Sequence, residues 1–274
     1  MKVKLAESCG FCFGVKRAIA LAERNPNATT FGELIHNSRE TERLNLRYGV
    51  KIAESLESIA QNSRVIIRTH GIEKDTKIAL QQITDDIIDA TCPYVTKPQT
   101  IAETISAKGY QVVIFGDKKH PEVKGVLSYA GAGAIVVADV DELCHESIAD
   151  RVALISQTTK SSKPFALIAA SLIDRCKEVR VFNTICNATF RNQDATRKLS
   201  NEVDMMIIVG GKNSSNTKQL FAIAKSVCEN SYLIEDAQEL DSVWFEGKAV
   251  CGISAGASTP DWIINEVIDK AKAF

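Results

Sequence analysis

The 274-residue sequence is marked first by what it lacks. No apolar run approaches the roughly 18–20 residues that a bilayer-spanning helix needs, so no membrane association is expected. Neither sign of charge dominates: 33 Lys and Arg stand against 34 Asp and Glu, a net charge of −1. That balance excludes the basic field on which nucleic-acid binding rests. The opening Met1-Lys2-Val3-Lys4-Leu5-Ala6-Glu7 has no apolar core of the signal-peptide kind, and a cytoplasmic protein is expected. There is no nicotinamide or flavin fingerprint, and Gly210-Gly211-Lys212 misses the spacing of a P-loop. Histidine is scarce, four residues in all, so where each one falls is informative.

What is present is ordinary in bulk. A hydrophobic fraction of 45% and a charged fraction of 24% suit a globular chain, and the length suggests two or three domains. Eight cysteines stand out. In a cytosolic chain they point to metal ligands, catalytic groups or small buried hydrophobes rather than disulfides. Only position can tell these apart.

Position is supplied by a threefold repeat. Short apolar strands alternate with helical patterns, and the same polar residue types close the same strands each time. In the first repeat, strand stretches at 29–37, 48–56, 64–71 and 86–93 lead to His36, a loop, His70 and Cys92. In the second, the corresponding strands lead to His120 with Glu122, a loop, Thr158 and Cys186. In the third they lead to Ser214, Ser215 and Asn216, a loop, and Ser258, and the fourth strand is missing. The N-terminal strand, leading to Cys12, is the candidate to supply it. Spacing supports this: Cys92 to His120, Cys186 to Ser214, Thr158 to Cys186, and Ser258 round through the termini to Cys12 are all 28 residues. The predicted fold is α/β, three small domains with parallel sheets in a pseudo-threefold, trefoil array about a common centre. The domains are 13–92, 93–182, and 183–274 closed by 1–12. Alternation of strand and helix dictates parallel sheets, with functional side chains at the carboxyl ends of the strands.

Three cysteines, one per repeat, each precede a helix N-terminus, whose positive end favours an anionic ligand. A structural zinc site normally closes with a fourth, local ligand, and none repeats here. An iron–sulfur cubane with three ligated irons and one open iron fits better. Cys9 completes a Cys-x-x-Cys with Cys12 but has no counterpart elsewhere, and Cys144, Cys176, Cys228 and Cys251 fall in strand or helix patterns that suggest core. His36, His70 and His120 lie at equivalent junctions and suggest anion binding. His145 alone falls outside them, as a surface loop residue. Hydroxyls, amides and the free N–H groups at Asn213-Ser214-Ser215-Asn216 add donors. No arginine lies in these turns, which implies a small, enclosed phosphate or diphosphate. Glu122, the one carboxylate of the set, suits proton delivery.

Gly10-Phe11-Cys12-x-Gly14-Val15, Ile35-His36-Asn37, Arg68-Thr69-His70-Gly71, Asp89-Ala90-Thr91-Cys92-Pro93, His120-Pro121-Glu122-Val123, Gln157-Thr158-Thr159, Thr184-Ile185-Cys186, Asn213-Ser214-Ser215-Asn216 and Ala255-Gly256-Ala257-Ser258 together resemble the 4-hydroxy-3-methylbut-2-enyl diphosphate reductases, the IspH/LytB family of the non-mevalonate isoprenoid pathway. The resemblance runs in order through nearly the whole chain. It implies one [4Fe–4S] cluster held by Cys12, Cys92 and Cys186, with one iron open. It implies that His36, His70, His120, Ser214, Ser215, Asn216 and Ser258 hold the diphosphate of a small allylic substrate, that Thr158 helps place its hydroxyl, and that Glu122 supplies protons. An external donor such as flavodoxin or ferredoxin would bring the electrons. Two other readings remain to be separated from this one. The first is a non-redox dehydratase using an open iron in the manner of aconitase; the second is an iron–sulfur or zinc sensor without chemistry.

Overall fold

The structure, a computed structural model, describes residues 1–274. Twelve strands and ten α-helices alternate along the chain. The first stretch holds β1 (Lys2–Leu5), α1 (Phe13–Glu23), β2 (Thr29–Phe31), α2 (Ser38–Tyr48), β3 (Lys51–Ala53), β4 (Val65–Ile67), α3 (Lys74–Gln81) and β5 (Ile87–Asp89). Next come α4 (Pro93–Ser106), β6 (Gln111–Phe115), α5 (Pro121–Tyr129), β7 (Ile135–Val137), α6 (Val140–Cys144), β8 (Arg151–Ser156), α7 (Ser162–Arg175) and β9 (Glu178–Phe182). The chain closes with α8 (Asn187–Ser200), β10 (Met205–Val209), α9 (Ser215–Lys225), β11 (Ser231–Ile234), β12 (Val250–Ala255) and α10 (Asp261–Lys272).

The strands form three four-stranded sheets, ordered β3-β2-β4-β5, β7-β6-β8-β9 and β11-β10-β12-β1, and every pairing is parallel. In each, the second strand of the repeat lies at one edge, the first and third pair centrally, and the fourth closes the other edge. The N-terminal strand takes that fourth place in the last sheet, with Lys2 opposite Val250 and Leu5 opposite Ile253. The expectation drawn from the missing strand is met.

The chain gathers into two compact units. One comprises Met1–Lys16, Ile35–Arg43 and Asn187–Phe274; the other comprises Arg17–Leu34 and Leu44–Cys186. The first unit contains the sheet closed by β1, and its central strand shows why a parallel sheet needs cover on both faces. Alternate residues point to opposite faces. Met205, Ile207 and Val209 pack with Ile263, Val267 and Ala271 of α10, whereas Met206 and Ile208 pack with Ala195 and Leu199 of α8 and Leu220 and Ala224 of α9. Ile207 is wholly buried, so Ile207→Ala is expected to cost about 3 kcal/mol through lost contacts and a residual cavity. Denaturant unfolding monitored by circular dichroism would measure this as a lowered midpoint.

The second unit holds the other two sheets. Val112, Ile114, Ala153 and Ile155 form one core with Ala102 and Ile105 of α4 and Val123 and Val126 of α5. Val65 and Ile67 form another with Ile72 and Leu80. These packed strands are rigid, so the residues just beyond their carboxyl ends are placed by the fold rather than by their own loops.

α2 runs against expectation, since His36-Asn37 reads as a turn before the next strand. Its apolar residues are too few for a stripe, but the Asn37 side chain caps it, accepting from the Glu40 amide at 3.0 Å. Asn-x-x-Glu is a legible capping signature.

Candidate active site

Each of the three singled-out cysteines occupies the same place relative to its own sheet. The amide of Cys92 donates to the carbonyl of Thr69 at 3.0 Å, that of Cys186 to Thr158 at 2.9 Å, and that of Cys12 to Ala257 at 3.1 Å. The fourth-strand cysteine is thus tied to the loop after the third strand in all three sheets, and each is followed at once by a helix, α4, α8 or α1. These bonds set the register one residue away from the expected equivalence: the counterparts of Thr158 are Thr69 and Ala257, each one residue before His70 and Ser258.

In the first unit, Gly10 makes this geometry possible. Its φ is +75°, and a Cβ there would lie 3.0 Å from Ile264 and 3.3 Å from the Thr259 carbonyl, so only glycine can turn the chain against the loop after β12. Ser258 donates its hydroxyl to the main-chain carbonyl of His36 at 3.1 Å, which brings His36 beside the same loop. Ser214 caps α9, accepting from the Thr217 amide at 3.3 Å. Ser215 opens that helix and Asn216 follows it. Asn216 is 4% exposed, and neither its amide nitrogen nor its oxygen has a hydrogen-bond partner. A buried, unsatisfied amide costs about 1–3 kcal/mol, and at a helix N-terminus its chemistry suits an anion.

In the second unit, the remaining residues form one connected set. The His70 and His120 rings meet edge to face, their centroids 5.6 Å apart. His120 caps α5, its Nδ1 accepting from the Glu122 amide at 3.2 Å; in the neutral ring the proton therefore sits on Nε2. Glu122 is 1% exposed. Its carboxyl accepts from the Thr158 amide at 2.6 Å and from the Thr158 hydroxyl at 2.8 Å. Burial pushes it up from 4.5 to about 7, with the two Thr158 bonds only partly opposing the shift. Thr158, expected to place a substrate hydroxyl, directs both its donors at Glu122, while its carbonyl holds Cys186.

None of the eight cysteines is joined in a disulfide. Cys12, Cys92 and Cys186 are half-buried, neither lost in a core nor fully exposed. Cys228 and Cys251 are buried as expected, and Cys251 is pushed up to about 12 by burial. Cys144 departs from the expectation of core: it ends the five-residue α6 and is exposed, because Leu143 is the helix's buried residue. His145 is exposed as expected. Cys9 is pushed up to about 11 by burial and by the nearby Asp261 carboxylate, which disfavours its thiolate form. Cys9→Ala is expected to retain at least about half the wild-type turnover, since an outer-shell partner typically costs about 10–100-fold and this thiol is not one; steady-state kinetics would show it.

Two further contributors carry no sequence-derived role. Arg17 donates to the carbonyls of Asp89 at 3.0 Å and Thr91 at 3.2 Å, bracing the segment that enters Cys92. Gln157 accepts from the Asp117 amide and donates to the Thr159 hydroxyl, both at 3.0 Å, bracing the loop that leads to His120. Gln157 lies in one of the motifs quoted above, whereas nothing local marks Arg17.

Half-buried thiols at three equivalent helix starts are the donor chemistry an iron–sulfur cluster requires. The orphaned Asn216 amide fits the diphosphate in the same sense.

Comparison with known proteins follows the same lines. The family described as LytB protein matches residues 3–272. A 4-hydroxy-3-methylbut-2-enyl diphosphate reductase of a Nitratiruptor species is 57% identical over 99% of this chain and 98% of its own length. One from Helicobacter hepaticus is 60% identical over 98% of each. Among solved structures, that of an (E)-4-hydroxy-3-methyl-but-2-enyl diphosphate reductase, described as the terminal enzyme of the non-mevalonate pathway, is 42% identical and covers both chains fully, with a TM-score of 0.71. The Plasmodium falciparum E-1-hydroxy-2-methyl-but-2-enyl-4-diphosphate reductase is 26% identical over 98% of this chain and 87% of its own, with a TM-score of 0.91. No helix is long and apolar enough to cross a membrane.

Proposed function

The chain belongs to the LytB family, and from that membership we propose that it catalyses the two-electron reductive dehydroxylation of 4-hydroxy-3-methylbut-2-enyl diphosphate. Two electrons and two protons enter, the allylic C–O bond breaks, water leaves, and isopentenyl or dimethylallyl diphosphate forms. The division into repeats 13–92, 93–182 and 183–274 with 1–12 is part of this reading, each repeat contributing one set of polar strand ends.

Cys12, Cys92 and Cys186 would hold a [4Fe–4S] cluster, which when bound supplies electrons one at a time and a Lewis-acidic open iron. The electrons come from an external carrier such as flavodoxin or ferredoxin. The protein's own part is recognition and proton handling. Asn216, Ser214, Ser215 and the N–H groups of α9 bind the diphosphate together with His36, His70, His120 and Ser258. They are neutral or switchable donors, suited to a desolvated anion. With Nδ1 accepting from the Glu122 amide, Nε2 is the nitrogen through which His120 would donate.

One observation carries the reading: a buried carboxyl, held by both donors of one threonine and carrying a proton up to about pH 7. Such a group delivers a proton to a leaving hydroxyl and is replenished at neutral pH. Its burial also keeps bulk water away from the reacting proton.

Anaerobic incubation of the reconstituted protein with a chemical reductant and the allylic diphosphate should give isopentenyl and dimethylallyl diphosphates, identified by mass spectrometry. Turnover without any reductant, yielding an unreduced product, would replace the reading with that of a dehydratase.

A further inference from the structure

His36 is followed by a small network that neither the strand-end logic nor the family comparison assigns a task. From it we infer that Trp262 and Glu40 are positioning residues for His36 and act on diphosphate binding through it. The inference rests on the proposed function for the identity of the anion.

Glu40, in the first turn of α2, is 1% exposed. Its carboxylate takes a fork from Arg43 on the same helix, at 2.9 Å and 2.6 Å, and a third bond from the indole Nε1 of Trp262 at 3.1 Å. Arg39 reaches Asp236 at 2.6 Å and lies over the Trp262 ring, 5.8 Å from its centroid. The start of α2 is therefore fastened to α10 and to the turn after β11, not merely covered by them.

The main chain of His36 is fastened at the same place. Its carbonyl accepts from Ser258. Gly211 passes so close that a Cβ there would lie 2.6 Å from the same oxygen. Asn37 then starts the helix by capping Glu40. His36 stands two residues ahead of α2, next to the cap Asn37, so the seating of the helix start fixes the backbone from which the imidazole projects. A buried carboxylate is a costly way to hold a surface helix, since an apolar residue would pack as well. What the charge adds is direction: three donors, one of them from another helix, are satisfied together in a single orientation.

The test is a double-mutant cycle on the holoenzyme, read both by KM for the allylic diphosphate and by the Kd of inorganic diphosphate in calorimetry. Trp262→Phe keeps an aromatic ring under Arg39 and removes the indole donor. It is expected to raise both constants about tenfold with kcat within about twofold, a coupling of ordinary size for a single lost bond to a charged group. In the His36→Asn background, Trp262→Phe should add nothing, because its effect passes through His36. Unchanged constants in the single variant, or a full further loss in the double variant, would overturn the inference. Should Trp262→Phe unfold, Glu40→Gln is read by the same cycle, with the same result expected and the same results overturning it. A wild-type protein that binds inorganic diphosphate but does not reduce the allylic substrate would sink the proposed function and leave this cycle readable by calorimetry.

Discussion

Glu122→Gln is expected to leave the cluster absorbance and the unfolding transition at pH 6 close to those of the wild type, while turnover falls by about 10²–10⁴-fold, the range for losing a positioned general acid. The fold should tolerate the change because the partner is a threonine. The glutamine amide oxygen can accept from the Thr158 amide. Its NH₂ can then donate to the Thr158 hydroxyl, which rotates from donor to acceptor. Only the transferable proton is lost. Near wild-type turnover would remove Glu122 from proton delivery.

The pH dependence follows in sign from the same carboxyl. It is protonated in the folded chain up to about pH 7 and in the unfolded chain only up to about 4.5. Its contribution to stability is therefore full below about pH 4.5 and is lost as the pH rises through 7. The loss amounts to about 3 kcal/mol, since each unit corresponds to about 1.4 kcal/mol. Turnover should fall over the same alkaline limb. In Glu122→Gln both slopes should flatten, so the variant becomes the more stable of the two near pH 8.5. A stability profile in which wild type and variant run parallel from pH 5 to 9 would contradict the assigned shift.

How much of this is legible before folding depends on whether the determining contact is local. Strand ends are legible because a strand's apolar run stops where its polar residue begins, as at His70 after Ile67. The closing strand of the last sheet is legible from a gap in a repeat, and the pairing of Lys2 with Val250 agrees. Counting residues is less reliable: loops of equal length need not hold equal turns, and the bond from Cys12 falls on Ala257 rather than on its neighbour. The bond between Glu122 and Thr158 spans 36 residues and has no local signal. Arg17 is silent for the same reason, its partners lying 72 and 74 residues away. The exposure of Cys144 is equally hidden, because one apolar residue in a five-residue helix does not say which neighbours share its face.

The three cysteines make the sharpest prediction, because equivalence can be tested and not only importance. Cys12→Ser, Cys92→Ser and Cys186→Ser should each lower iron and sulfide content and abolish the visible charge-transfer absorbance. Turnover should fall by more than the roughly 10–100-fold that loss of an outer-shell partner costs. The three should fail alike, since each thiol follows an amide bonded to its own third-strand loop and precedes its own helix. Cys144→Ser, at an exposed thiol, and Cys228→Ser, at a buried one, should keep the full iron content; the second will lose stability instead, through a polar atom in an apolar site. Zinc at one per chain without sulfide in anaerobically prepared protein would leave the equivalence intact and remove the redox chemistry. Retention of iron by any one of the three variants would break the equivalence itself, and with it the inference that the closing strand β1 brings Cys12 into the same role as the other two.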